Sequence, residues 1–285
     1  MIRLGDYNTL TLTRFSDHGT YLDGGDVGEI LLPNAFVTRD MRTGDELTVF
    51  IYLDHEERLV ATTQTPLARV GQFAYLEVAW VNNYGAFLHW GLQKDIFVPF
   101  SEQKMRMQQG SSYVVYIYID EDTRRIVASA KVERFLRAAT TARYHRGQQV
   151  EMLIQQKTPL GFKVIVENSC AGMIYDNQIY ESWHTGDRMT GTVVSVRPDG
   201  KLDLTAGQIG KSRFRHFAEV LEEELIAAGG MLPFGDKSDA DSIAERFGVS
   251  KKTFKQAVGT LYRARKIQLT DTSIRLINVE DRNNL

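Results

Sequence analysis

The chain has 285 residues, 43% apolar and 25% charged, which is the balance of a polypeptide that buries a core and excludes a disordered one. A net charge of −2 advertises no global affinity for polyanions, and a single cysteine, Cys170, excludes an internal disulfide. There is no run of 18 apolar residues and no basic-then-apolar start, so a cytoplasmic protein with no membrane partner is expected.

Glycines recur in one register along the first two-thirds of the chain. Gly5, Gly71 and Gly147 open three units; Gly19, Gly85 and Gly161 follow; Gly44, Gly110 and Gly186 come last. Every set is spaced by 66 and then 76 residues, which predicts three copies of one unit. Unit two predicts strands at Tyr75–Val81, Ala86–Trp90, Ile96–Val98, Tyr113–Asp120 and Arg125–Ala130. Asn82-Asn83 and Asp120-Glu121-Asp122 mark turns between them. Five strands in a unit of this size close most economically as an OB-type barrel. Unit three ends in the same way, with Met189–Val196, a turn at Arg197-Pro198-Asp199-Gly200, and Lys201–Thr205.

After about residue 206 the apolar period changes from 2 to 3.6. Phe214, Phe217, Ala218, Leu221 and Leu225 share one helical face, and Gly229-Gly230 ends that helix. Ser238-Asp239-Ala240-Asp241 opens a second helix carrying Ile243, Ala244 and Phe247, which stops at Gly248. Ala244, four residues before Gly248, is expected where this helix crosses the next. Ser250 caps a third helix with Phe254, Ala257, Val258 and Leu261 facing inward. Lys266–Leu269 and Ile274–Ile277 then form a hairpin around Thr270–Ser273, making a winged helix. The expected fold is therefore mostly β with a C-terminal α+β part. The expected domains are three tandem five-stranded OB-fold barrels at 1–63, 64–135 and 136–207 and a winged-helix domain at 208–285.

Charge is unevenly spread over these parts. Residues 1–63 carry net −6, whereas 64–135 and 136–205 carry +1 each. Residues 249–267 hold six Lys/Arg and no acid. Locally basic segments of this kind are candidates for phosphate contact.

With the units aligned, Gly71 to Ala130 resembles the S1 RNA-binding domain. Tyr84-Gly85-Ala86-Phe87-Leu88 matches its aromatic-Gly-Ala-Phe-aliphatic signature, and Phe97-Val98-Pro99-Phe100-Ser101 falls where that domain usually has Leu-Val-His-Ile-Ser. Three such units and a winged helix resemble the CvfB/YitL family (conserved virulence factor B) of bacterial RNA-binding proteins. The stretches 94–103 and 232–239 are similar to segments of that family. The resemblance covers essentially the whole chain. It implies single-stranded RNA as partner, a post-transcriptional regulatory role, no cofactor and no established catalytic activity.

Single-stranded nucleic acid is held by exposed rings that stack on bases and by nearby cations. The resemblance implies two aromatics three apart and a third group twelve further on. In unit two these positions are Tyr84, Phe87 and Pro99; in unit one, His18, Tyr21 and Pro33; in unit three, Leu160, Lys163 and Tyr175, with Phe162 one place out of register. The candidate RNA contacts are Tyr84, Phe87, Lys94, Arg124 and Arg125 in unit two, Tyr21 in unit one, and Phe162 and Tyr175 in unit three. Unit two ranks first and the acidic unit one last. In the third helix of the tail, Lys251, Lys252, Lys255 and Arg263 lie outside the apolar stripe, as in a recognition helix. A solvated helix face is the plainer alternative there, and RNA and duplex DNA are not separated by charge alone. Two phosphate-loop lookalikes are linkers or turns. Gly207–Ser212 has Thr205 where a Walker glycine belongs, and Gly230–Lys237 has Asp236 where Lys must follow. The six histidines and Cys170 show no metal-ligand spacing.

The expected function is RNA-binding regulation. One alternative is a DNA-binding transcriptional regulator with the barrels as protein-interaction modules. Another is a metal-dependent nuclease using the acidic turns. The oligomeric state is open, with a monomer as the default.

Overall fold

The computed structural model describes residues 1–175, 183–206 and 212–277. The first barrel is built from β1 (Tyr7–Ser16), β2 (Gly19–Asp23), β3 (Glu29–Pro33), β4 (Glu46–Leu53) and β5 (Leu59–Thr62). The second is β6 (Phe73–Val81), β7 (Gly85–Leu88), β8 (Ile96–Pro99), β9 (Ser112–Ile119) and β10 (Ile126–Ser129). The third is β11 (Gln149–Thr158), β12 (Gly161–Val166), β13 (Cys170–Tyr175), β14 (Arg188–Val196) and β15 (Leu202–Ala206). Each sheet closes in the same order, first strand to second to third to fifth to fourth. The third and fifth strands pair in parallel and the other pairs are antiparallel. That is the OB topology, and closure leaves no free sheet edge.

Two repeated features make the barrels alike. The first strand of each carries a bulge, at Thr13, Ala79 and Gln155. These three positions keep the 66 and 76 residue spacing of the glycines. The second feature is the glycine opening the second strand. At Gly85 an added Cβ would lie 2.2 Å from the Val98 carbonyl oxygen and 2.7 Å from the Phe97 ring. Only a residue without a side chain lets β7 approach β8 so closely.

The tail forms α1 (Ser212–Ala227), β16 (Met231–Leu232), α2 (Ala240–Phe247), α3 (Lys251–Arg263), β17 (Ile267–Leu269) and β18 (Ile274–Leu276). Its sheet runs β16-β18-β17, so the wing has a third strand inside a segment expected to be a turn. The Asp239 side chain accepts from Asp241 N and Ser242 N, and Gly248 ends α2 in the left-handed conformation. Ser250 accepts from Thr253 N at the start of α3. Phe217, Leu221, Leu225, Ile243, Phe254, Ala257, Val258 and Leu261 form the core. Ala244 is exposed, not at the helix crossing, because Ile243 and Phe247, four residues apart, define the inward face and Ala244 is turned away from both. Residues 207–211 of the Gly-Lys-Ser segment, the 207/208 boundary and the side chains of Phe214 and His216 lie outside the described residues. No helix among the described residues is long and apolar enough to cross a membrane.

The barrels share cores. Phe50, Tyr52 and Val60 of barrel 1 belong to the same buried cluster as Trp90, Leu88 and Val98 of barrel 2. At that junction Gly5 O accepts from Val70 N at 3.0 Å, and Arg69 pairs with Asp6 at 2.8 Å. Between barrels 2 and 3, Phe73 and Val114 pack on Leu153 and Ile165. There Asn168, in the β12–β13 turn, accepts from Phe73 N at 2.7 Å and donates to Gly71 O at 2.8 Å.

Two outcomes follow from this packing. Gly85→Ala should destabilise the protein by about 1–3 kcal/mol, since a backbone atom must move; an unchanged denaturation midpoint would show that β7 and β8 can part freely. The second concerns acid. Burial alone would raise the Asp6 carboxyl, but the Tyr7 N–H and the Arg69 guanidinium hold it below its ordinary 3.8. A lowered acid stabilises the fold fully above its unfolded value and loses that contribution as pH falls through the folded value. The thermal transition of the barrels should therefore drop below pH 3.8, and Asp6→Asn should flatten that drop; equal steepness in the variant would assign acid unfolding to other carboxylates.

Candidate nucleic-acid interface

The bulge at Ala79 decides what barrel 2 presents. Leu76 and Val78 point into the core, so strict alternation would carry Trp80 inward as well. The extra residue reverses that, and Trp80 stands outside, 43% exposed. It pairs across the ladder with Phe87, which pairs in turn with Phe97. The three rings form a row over β6, β7 and β8. Trp80 and Phe87 stack at 3.7 Å with planes 4° apart, and Phe97 leans on Phe87 at 4.9 Å. Trp80 Nε1 donates to Asp95 Oδ2 at 3.1 Å, which fixes the outer ring. Tyr84 stands beside the row, 75% exposed. Its loop is held by Asn82 Oδ1, which accepts from the N–H groups of Tyr84 and Gly85.

This arrangement changes the roles of the expected residues. Phe87 is sandwiched, so it supports the row and leaves outward stacking to Trp80 and Tyr84. The third ring is Phe97, ten residues after Phe87, rather than the position at Pro99. Trp80 and Phe97 were not among the sequence candidates. The signal for Trp80 is the run of aromatics flanking the Asn82-Asn83 turn, readable only once the bulge is known, whereas Phe97 joins the row through its pairing with Phe87.

The same row exists in the other barrels with other occupants. In barrel 1 it is Arg14, Tyr21 and Leu31. The Arg14 guanidinium covers the Tyr21 ring at 3.9 Å and is itself bound to Glu29 at 2.7 Å. In barrel 3 it is Gln156, Lys163 and Met173, which has no ring. Phe162 corrects the sequence expectation: it is 4% exposed, inside the core of barrel 3, because its neighbour Lys163 takes the outward position. Tyr175 is half-buried, and its hydroxyl lies 3.3 Å from Asp203 Oδ1.

The cations of barrel 2 are partly committed. Lys94 Nζ donates to the Asp54 carbonyl of barrel 1 at 2.6 Å. Burial pulls this ammonium below its ordinary pKa, against the opposing influence of Glu57 and Asp54. Arg125 forms an ion pair with Glu57 of barrel 1. Arg124 sits exposed in the β9–β10 turn in the left-handed conformation, φ 60°. The acidic turns serve the backbone. Asp120 accepts from Thr123 N at 2.8 Å, and Asp54 from Glu56 N at 2.8 Å and Arg58 N at 3.0 Å. Among the described residues no three His, Cys, Asp or Glu side chains converge as a cation site requires.

On α3, Lys252, Lys255, Tyr262 and Arg263 are exposed and Lys251 is half-buried. Lys255 pairs with Asp236 at 2.9 Å and holds that carboxyl below its ordinary value. Arg263 Nε donates to Gly259 O, and the neighbouring Lys266 pairs with Glu222 at 2.6 Å. Tyr262, 57% exposed, adds a ring that the charge pattern did not reveal.

The S1 domain family model matches residues 4–64 and 70–131, and the CvfB-like winged helix domain matches 219–276. YitL of Bacillus subtilis is 28% identical over 272 residues, spanning 93% of this chain and 91% of its own. Conserved virulence factor B of Staphylococcus haemolyticus is 24% identical over 267 residues, 90% and 89% of the two chains. The chain belongs to the CvfB/YitL family. A crystal structure of a multidomain protein with nucleic acid binding domains from Streptococcus pneumoniae is 23% identical, covering 96% of this chain and 98% of its own with a TM-score of 0.43. This CvfB/YitL member thus combines S1 and winged-helix domains, both nucleic-acid-binding types and neither a known enzyme family.

The α3 face yields a salt prediction. Lys255 already has a carboxylate partner, so changing Lys251, Lys252 and Lys255 to Ala should remove about two phosphate contacts. The slope of log affinity against log salt should shrink by about 1–2, with little change in thermal stability. An unchanged slope with both RNA and duplex DNA would mean that this face is only solvated.

Proposed function

We propose that the protein binds single-stranded RNA through the outer face of barrel 2 and acts as a cytoplasmic post-transcriptional regulator. The observation that carries this reading is the ring row Trp80–Phe87–Phe97 with Tyr84 beside it and Arg124 at the neighbouring turn. Exposed rings fixed by their own packing are matched to unstacked bases, which a duplex does not offer. A phosphate contact at Arg124 follows the same logic. The staphylococcal relatives bear the name conserved virulence factor B, which agrees with a regulatory role. The winged helix adds contacts through Lys251, Lys252 and Arg263. A DNA-binding reading is favoured by one observation, the exposed Lys252, Tyr262 and Arg263 on α3 behind a helix-turn-helix. In that case α3 would lie against duplex phosphates and base edges.

Tyr84→Ala with Trp80→Ala should weaken binding to an unstructured RNA oligonucleotide by about 2–6 kcal/mol, from roughly 1–3 per stacked base. Both side chains are partly exposed, so the thermal transition should stay near that of the parent protein. Wild-type affinity in this double variant would remove barrel 2 stacking from the account, and preferential competition by duplex DNA would favour the α3 reading.

A further inference from the structure

Barrel 1 is acidic and its own outer row is closed by Arg14 lying on Tyr21, yet it is pressed against the aromatic face of barrel 2. A cleft of about 490 Å³ opens where they meet. Tyr84, Phe87 and Phe97 form one wall, and Leu53, His55 and Glu57 of the β4–β5 hairpin form the other. The walls are held at a set separation. Lys94 Nζ reaches the Asp54 carbonyl at 2.6 Å, Arg125 pairs with Glu57, and Phe50 meets Trp90 edge-on at 5.9 Å. A cavity of this size, mostly apolar with a few polar groups at its edge, is built for a small planar ligand rather than an extended surface.

We propose that this inter-barrel cleft is a socket for one unstacked nucleobase, carried on an RNA strand or on a free nucleotide. Barrel 1 takes part in binding by supplying the second wall. The inference rests on the nucleic-acid reading above. On the barrel 2 side Tyr84 and Phe97 supply the stacking surface, with Phe87 supporting Phe97 from behind. Asn82 uses its Oδ1 for the Tyr84 and Gly85 N–H groups, so its amide N–H₂ is left to donate to a base edge. His55 stands exposed at the mouth and offers two ring nitrogens. The exposed Arg124 adjoins the cleft-lining Arg125, whose guanidinium is held by Glu57, and can meet a phosphate attached to the seated base. Because the walls are already pinned, seating a base costs little ordering of the protein.

The test uses the full-length protein and a short RNA with one 2-aminopurine, whose fluorescence reports the stacking of that base. Leu53→Ala with His55→Ala strips the barrel 1 wall and leaves barrel 2 untouched. Affinity should fall about tenfold, and the fluorescence change seen at saturation with the parent protein should be lost. If the double variant melts early, His55→Ala alone, read at saturating RNA, answers the same question. Should Trp80→Ala with Tyr84→Ala weaken binding while the wall variant behaves as the parent, the socket is wrong and RNA binding stands. AMP, GMP, CMP and UMP, titrated alone against the NMR spectrum, separate the two sources. Mononucleotide binding lost in the wall variant, without RNA binding by the parent, would support the socket and overturn the RNA reading. No binding of RNA or mononucleotide would overturn both.

Discussion

Pairing register in the first strand of each barrel governs what the molecule can present. Side chains alternate with a period of two along a strand, so one extra residue exchanges the inner and outer faces beyond it. The bulges at Thr13, Ala79 and Gln155 make that exchange at the same point of every barrel. Beyond them Arg14, Trp80 and Gln156 are set outside, each opposite the outward residue of the second strand. Without the bulge in β6, Trp80 would compete for the core of barrel 2 and Phe87 would lack its partner. The glycines that open the second strands act on the same pairing, since at Gly85 the neighbouring carbonyl occupies the space a side chain would need.

One geometry thus carries three chemistries. The row in barrel 1 ends in a guanidinium fixed by Glu29, the row in barrel 2 is aromatic throughout, and the row in barrel 3, Gln156, Lys163 and Met173, has no ring. A ring row ordered by its own stacking loses little conformational freedom when a base is added. A long cation already held by a carboxylate must first give up that partner. This contrast ranks the faces more sharply than net charge does, because net charge counts Lys94, Arg125 and Lys255 as free when each already has a partner.

The junctions determine how these faces combine. Shared apolar clusters at both junctions, the Asn168 clamp on Phe73 and Gly71, and the Asp6–Arg69 pair tie consecutive barrels through buried and hydrogen-bonded contacts. Such contacts do not behave as flexible tethers. The close approach of barrel 1 turns one side of the aromatic face into a cleft and draws Lys94 and Arg125 toward barrel 1.

Much of the architecture was legible from residues alone. Three glycine landmarks recurring in one register, strand-length apolar runs and a change of period near residue 206 are local signals, and they located the three barrels and the helices of the tail. The cap at Ser250 was readable because an N-cap is a contact within a few residues, whereas the Ser238-Asp239-Ala240-Asp241 pattern located the start of the second helix but the cap itself falls on Asp239. Tyr84 was legible as an exposed ring because it stands in a loop next to a motif glycine. What depended on contacts distant in sequence was not legible. Trp80 needed the bulge, Phe162 needed the barrel to close around it, and the commitments of Lys94 and Arg125 needed barrel 1 to be docked. The sequence by itself determined the strands, helices, repeats and caps, because backbone preference and apolar period act over neighbouring residues. Only the tertiary structure decided which rings face outward, which cations remain open and where the cleft lies, because those follow from cross-strand register and inter-barrel packing.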